Sequence, residues 1–118
     1  MRRAAMACLA ALLVLTLPGC KVMQRISEGA YRNAVADGAV AELRERGFDV
    51  PERPDCTVRA SGTDLVRVNC TGRTGTGRPV TVEGIARDAG AEHPRETYVI
   101  AVDGREVLRQ DCLGLGCR

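Results

Sequence analysis

Cys56-Thr57-Val58-Arg59-Ala60-Ser61-Gly62-Thr63-Asp64-Leu65-Val66-Arg67-Val68-Asn69-Cys70 carries enough pattern to place two strands, one turn and one covalent bridge. Its apolar positions are all even: Cys56, Val58 and Ala60 in the first half, Val66, Val68 and Cys70 in the second. Period two is the mark of a strand with one buried face. A hairpin turning at Gly62-Thr63-Asp64 sets Ala60 opposite Val66, Val58 opposite Val68 and Cys56 opposite Cys70. Thr57, Arg59, Arg67 and Asn69 then fall on the other face. Pattern and cysteines agree on one register, and a slip by one residue would turn every apolar side chain outward. Directly opposed residues bring Cβ atoms within the roughly 4 Å a disulfide requires, so a Cys56–Cys70 bridge is expected.

The alternation continues downstream. Val80, Val82 and Ala86 alternate with Thr81, Glu83 and Arg87. A turn centred on Gly75 would put Val80 opposite Cys70 and Val82 opposite Val68. Residues 88–94 form a polar loop, and Thr97–Val102 is a strand apolar on both faces. Asp103-Gly104 is a hairpin turn leading to a last strand, Arg105–Arg109. Upstream the period changes. Val35, Ala39 and Leu43, with Val40, make a helical stripe over Ala30–Arg46, leaving Glu42, Arg44, Glu45 and Arg46 on the polar surface. Gly47 suits the position just past a helix end, and Pro51 lies beyond it. Gly38 inside this helix costs up to about 1 kcal/mol against Ala, which predicts a close approach, most simply by the sheet. The expected fold is therefore α+β, one N-terminal helix packed on an antiparallel meander of about five strands and stapled by disulfides.

The chain opens with Arg2 and Arg3, continues as an apolar run from Ala4 to Leu17 broken only by Thr16, and closes on Leu17-Pro18-Gly19-Cys20. This is the layout of a secretory signal, too short for a spanning helix. A cysteine directly after a small residue at the end of such a leader resembles the lipobox of bacterial lipoproteins. The resemblance implies a diacylglycerol on Cys20, cleavage before it, and a mature protein held on the extracytoplasmic face of the cell membrane by that lipid. The expected organisation is a signal peptide over 1–19, a short tether over 20–29 and a single α+β domain over 30–118. The tether stretch Lys21–Gly29 also reads as the first turns of the helix. The mature part resembles small helix-plus-antiparallel-sheet domains in lipoproteins of high-GC Gram-positive bacteria. The Ala30–Arg46 helix, the Cys56/Cys70 hairpin and the Val99–Val107 strand-turn-strand carry that resemblance, which implies a fold and brings no activity with it.

Of the six cysteines, Cys8 lies in the leader and Cys20 is the lipidation site. Cys56, Cys70, Cys112 and Cys117 remain, an even number in an exported small domain, with three possible connectivities. A four-thiol metal site needs pairs two to four residues apart, which 56 and 70 are not. With Cys56–Cys70 assigned from register, Cys112–Cys117 follows by elimination, and Gly114 and Gly116 permit its small loop. Removing the first 19 of 118 residues leaves 99, one small domain. The leader holds Arg2 and Arg3 of the 17 basic residues, so the remainder balances the 15 carboxylates. A neutral domain gives no electrostatic case for nucleic acid or for adhesion to anionic lipid. With 3% aromatic residues there is no stacking platform for bases or sugars either.

No residue set nominates itself as catalytic, cofactor-binding or metal-binding. Gly72, Gly75 and Gly77 match no phosphate-loop spacing and precede a strand, so they read as a hairpin turn. His93, the only histidine, stands in the polar loop without a nucleophile or orienting partner. Cys112 and Cys117 are too far apart for a disulfide exchanger. The expected function is that of a non-catalytic domain that contacts an extracytoplasmic protein partner. The alternatives are a small-ligand module, with its site between helix and sheet or at Asp88–Pro94, and an inhibitor of an exported enzyme.

Overall fold

A computed structural model describes residues 20–117, with side chains from Glu28 onward. The predicted leader over 1–19 lies outside the described residues, as does Arg118. One helix, α1 (Cys20–Glu45), precedes five strands: β1 (Asp55–Ser61), β2 (Leu65–Arg73), β3 (Pro79–Arg87), β4 (Arg95–Val102) and β5 (Arg105–Gln110). The strands form a single antiparallel sheet in the order β1-β2-β3-β4-β5, and a 3-10 turn over Gly114–Cys117 follows β5 as the last described element. The expected α+β architecture is the one observed.

Helix α1 starts ten residues earlier than the stripe alone predicted, so the backbone over 20–29 forms its first turns. Its end is a Schellman motif. Gly47, at φ 87°, donates its N–H to the Arg44 carbonyl at 3.0 Å, and Phe48 donates to the Leu43 carbonyl at 2.9 Å. Only a residue that tolerates positive φ closes the helix this way. Leu43 is then fully buried and Phe48 packs on the same core. The connecting segment is fastened by Arg53, whose Nε and Nη2 lie 2.8 and 3.0 Å from the Asp37 carboxylate on α1. It also buries Val50, a core residue that no periodicity marks.

The β1–β2 register is Cys56↔Cys70, Val58↔Val68 and Ala60↔Val66, as the even-residue pattern requires. The β2–β3 register differs from expectation by two residues: Cys70 faces Val82, Val68 faces Gly84 and Gly72 faces Val80. The turn is centred on Thr76 instead of Gly75. Thr74 and Arg78 close it, with Thr74 N–H to the Arg78 carbonyl at 2.9 Å and Arg78 N–H to Thr74 Oγ1 at 3.1 Å. A shift of two leaves every side chain on its predicted face, because the strand period is two. The Asp103-Gly104 turn has positive φ at both residues, 54° and 74°, the type I′ geometry matched to strand twist. A bulge between Ile100 and Ala101 places one extra residue in β5.

The core lies between α1 and the even-numbered sheet face. Val68, Cys70, Val80, Val82 and Ile100 are buried there against Val35, Ala39 and Leu43. Gly84 sits mid-face, where a Cβ would come within 2.5 Å of Val68 and 2.8 Å of the Tyr98 ring. The ring covers the place a side chain would take, which explains why Tyr98 is 5% exposed in so small a domain.

Candidate functional site

Two regions of the surface stand out, one on each side of the sheet. On the outer face, odd-numbered residues of β1 to β3 point away from α1, and Thr57, Arg59, Arg67, Asn69, Thr81 and Glu83 are all exposed there as predicted. The register adds what single strands could not give. Arg59 is directly opposite Arg67, and Arg87 directly opposite Arg95. Like charges on one rung cost up to about 1 kcal/mol. By parity this face carries Arg59, Arg67, Arg73, Arg87, Arg95 and Arg109 against Asp55, Glu83 and Glu106, so a domain neutral in sum is basic on one side. Arg95 pairs with Asp88 at 3.0 Å and Arg109 with Glu106 at 2.7 Å. Among the described residues Arg59, Arg67 and Arg87 make no ion pair. Across the two arginine rungs and beyond them runs a diagonal of half-buried apolar side chains, Leu65, Ile85 and Val99, with Leu65 opposite Arg87, Ile85 opposite Arg67, and Val99 between Glu83 and Arg109. No described element covers it.

The second region is a cleft of about 450 Å³ between α1, the start of β4 and the C-terminal tail. Tyr31, Val35 and Gly38 line it from the helix, Tyr98 from the sheet, and Leu113 and Leu115 from the tail. The Tyr31 and Tyr98 hydroxyls meet at 3.3 Å. Burial is the main reason that both phenols are pushed above their ordinary range, and the Glu96 carboxylate nearby acts in the same direction. Both rings therefore stay protonated across the physiological range, each hydroxyl able to donate. Leu115 is the one large apolar side chain standing out among the described residues, at 79% exposure.

The tail is held by features that the sequence pattern does not announce. Gly38 meets Leu113, whose Cβ would be 2.9 Å from a Cβ at that position, and a Cβ on Gly114 would stand 3.0 Å from the Gly38 Cα. The close approach predicted at Gly38 is real, but the partner is the tail and not the sheet. Glu42, expected on the polar surface, is 7% exposed instead. Its Oε1 accepts the Gly114 N–H at 3.1 Å and its Oε2 pairs with Arg46 Nη1 at 2.7 Å. The hydrogen bond from Arg46 holds the carboxyl below its usual range, outweighing burial, with the Gly114 N–H adding to it. The i,i+4 spacing of Glu42 and Arg46 was the one available signal, and it gave no hint of Gly114.

Both disulfides occur as expected. Cys56 and Cys70 are joined with Cα atoms 4.0 Å apart, and Cys112 and Cys117 with Cα atoms 5.0 Å apart. Of Cys20 only the backbone is described, as the first residue of α1. His93 is exposed in the Asp88–Pro94 loop, which is fastened to the first hairpin by Ala89 N–H to the Asp64 carbonyl at 3.1 Å. Among the described residues no group of three or more His, Cys, Asp or Glu could hold a metal ion, and no helix is long and apolar enough to cross a membrane. Comparison of the chain with family models, with curated proteins and with solved structures finds no match.

Proposed function

We propose that this protein is a lipoprotein, anchored through a diacylglycerol on Cys20 to the extracytoplasmic face of the cell membrane, and that its domain is a non-catalytic module for contact with another protein. The leader over 1–19 supports the anchoring. On the helical rise, the eight steps from Cys20 to Glu28 place a spacer of about 12 Å between the lipid and Glu28, which lines a groove against Val58 and Ala60 of β1. The observation that carries the interaction reading is the uncovered outer face, where Arg side chains flank the half-buried Leu65, Ile85 and Val99. Arginine with an apolar centre is the composition of protein interfaces. Fatty-acid labelling in cells tests the anchor: Cys20→Ala should lose the label, and equal labelling of variant and wild type would refute it. Crosslinking from intact cells followed by pull-down tests the contact, and recovery of a specific neighbour is the expected result.

The cleft beside Tyr31 and Tyr98 favours a second reading, a module for a small apolar ligand, since pocket walls of this kind with a few convergent hydroxyls are what such sites use. Binding of an apolar fluorescent probe, abolished by Ala34→Trp in the cleft wall, would support it. Binding unchanged by that substitution would remove it.

A further inference from the structure

We infer that the end of the outer sheet face bearing Arg59, Arg67, Arg87 and Arg95 docks a carboxylate-rich surface of a protein partner. This deepens the interaction reading above and rests on it. The four guanidinium groups stand on two adjacent rungs, Arg59↔Arg67 and Arg87↔Arg95, so their side chains share one end of the face. All four are exposed, and only Arg95 has a carboxylate partner among the described residues. Opposed like charges on a rung are unfavourable in the isolated domain, and the attraction of a negatively charged partner to both arginines offsets that repulsion. Guanidinium forks match carboxylates two hydrogen bonds at a time, while Leu65 opposite Arg87 and Ile85 opposite Arg67 offer apolar area to exclude water.

A bilayer is the other anionic surface within reach, and the charge layout speaks against it. Glu28 and Tyr31 of α1 share a cleft with Ala60, Val66, Ala86 and Pro94, so the Cys20 end of the helix lies at the same end of the sheet as the 62–64 and 88–94 loops. Those loops carry Asp64, Asp88 and Glu92. The arginine rungs adjoin the same loops, so an anchored domain offers headgroups an edge of mixed charge, with Asp88 already paired to Arg95 and the carboxylates of Asp64 and Glu92 beyond the rungs.

The test uses the full lipidated chain in detergent micelles and poly-L-glutamate as the probe, at about 0.15 M salt so that weak screening does not inflate the result. The R59E/R67E double variant should bind at least about tenfold more weakly. R44E/R105E, with the same change in net charge but off this face, should bind within about twofold of wild type. The single variant Arg59→Glu guards against misfolding as the cause, because it replaces a repulsive rung with an attractive one and should weaken binding without lowering the thermal midpoint. No binding by wild type, equal loss in both double variants, or displacement of the probe when the micelles are doped with phosphatidylglycerol but not with phosphatidylcholine would overturn the inference. Crosslinking in cells separates its failure from that of the interaction reading. A neighbour captured equally by wild type and R59E/R67E removes the acidic-partner inference alone, whereas capture of no neighbour removes the interaction reading.

Discussion

The β1–β2 hairpin and the C-terminal tail are both closed by a disulfide, yet they are held in the domain by different physics. In the hairpin, covalent bridge, register and burial follow from one rule, the alternation of side chains along a strand. Cys56↔Cys70 is simply the last inward-facing rung of a ladder whose other inward-facing rungs, Val58↔Val68 and Ala60↔Val66, specify the same pairing. In the tail the bridge fixes only a small loop. What docks that loop is contact with α1: backbone against backbone at Gly38 and Gly114, and a carboxylate, Glu42, taking the Gly114 N–H. Redundant local pattern makes the first region legible and resistant to single changes. The second depends on a few long-range fits.

Removing the bridges should give the largest difference between the two. The chain-entropy estimate assigns about 3 kcal/mol to the fifteen-residue loop of Cys56–Cys70 and about 2 kcal/mol to the six-residue loop of Cys112–Cys117. Denaturant titration of Cys56→Ala/Cys70→Ala should show the greater loss, and that of Cys112→Ala/Cys117→Ala the smaller. The reverse order would mean that the tail loop organises more of the domain than its size implies.

Gly38→Ala comes next. Alanine gains about 1 kcal/mol of helix propensity, but its Cβ would stand 2.9 Å from the Leu113 Cβ and 3.3 Å from backbone. Overpacking of that kind costs about 1–3 kcal/mol, so the expected net loss is about 1 kcal/mol by thermal or chemical melting. A neutral or stabilising result would show that the tail moves aside freely.

Glu42 makes the tail sensitive to acid. Its carboxyl is held below the ordinary 4.5 in the folded protein, so the stabilisation it gives is complete above the unfolded-state value. That contribution is lost as the pH falls below 4.5 and through the lower folded-state value. Glu42→Gln keeps an acceptor for Gly114 and loses the charge opposite Arg46. It should cost about 1 kcal/mol at neutral pH and should flatten the acid limb of the stability curve. An unchanged acid limb would show that other carboxylates set it. The smallest expected effect lies in the hairpin, where Arg59→Glu should gain a few tenths of a kcal/mol by ending the repulsion with Arg67, a rise in melting temperature being the measurement.

The same contrast explains what was legible. Residues whose role is set by near neighbours in the chain were readable: the first hairpin, the outward set from Thr57 to Glu83, the stop at Gly47 and both disulfides. The β2–β3 register was misplaced by two residues because glycine content drew the turn toward Gly75. The Thr74–Arg78 hydrogen bonds that centre it on Thr76 leave no pattern in composition. Parity absorbed that error, so the faces survived although the rungs did not. Arg59 opposite Arg67 followed from the first register, while Arg87 opposite Arg95 needed the β3–β4 pairing across the 88–94 loop. The cleft, the tail's seat on Gly38 and the burial of Glu42 all require knowing where the last residues return to the helix, which no local period encodes.

The unbroken meander order has a consequence in time. Every strand pairs with its predecessor in the chain, so the sheet can be assembled by successive short loop closures, the arrangement of low contact order that favours rapid folding. Cys56 meets Cys70 across a separation of 14 residues and Cys112 meets Cys117 across 5, whereas a wrong partner for Cys56 in the tail stands about four times farther along the chain. Closing that longer loop costs about 1.2 kcal/mol more entropy. Oxidation during folding is thereby biased toward the native pairs, so the connectivity needs little correction by thiol–disulfide exchange.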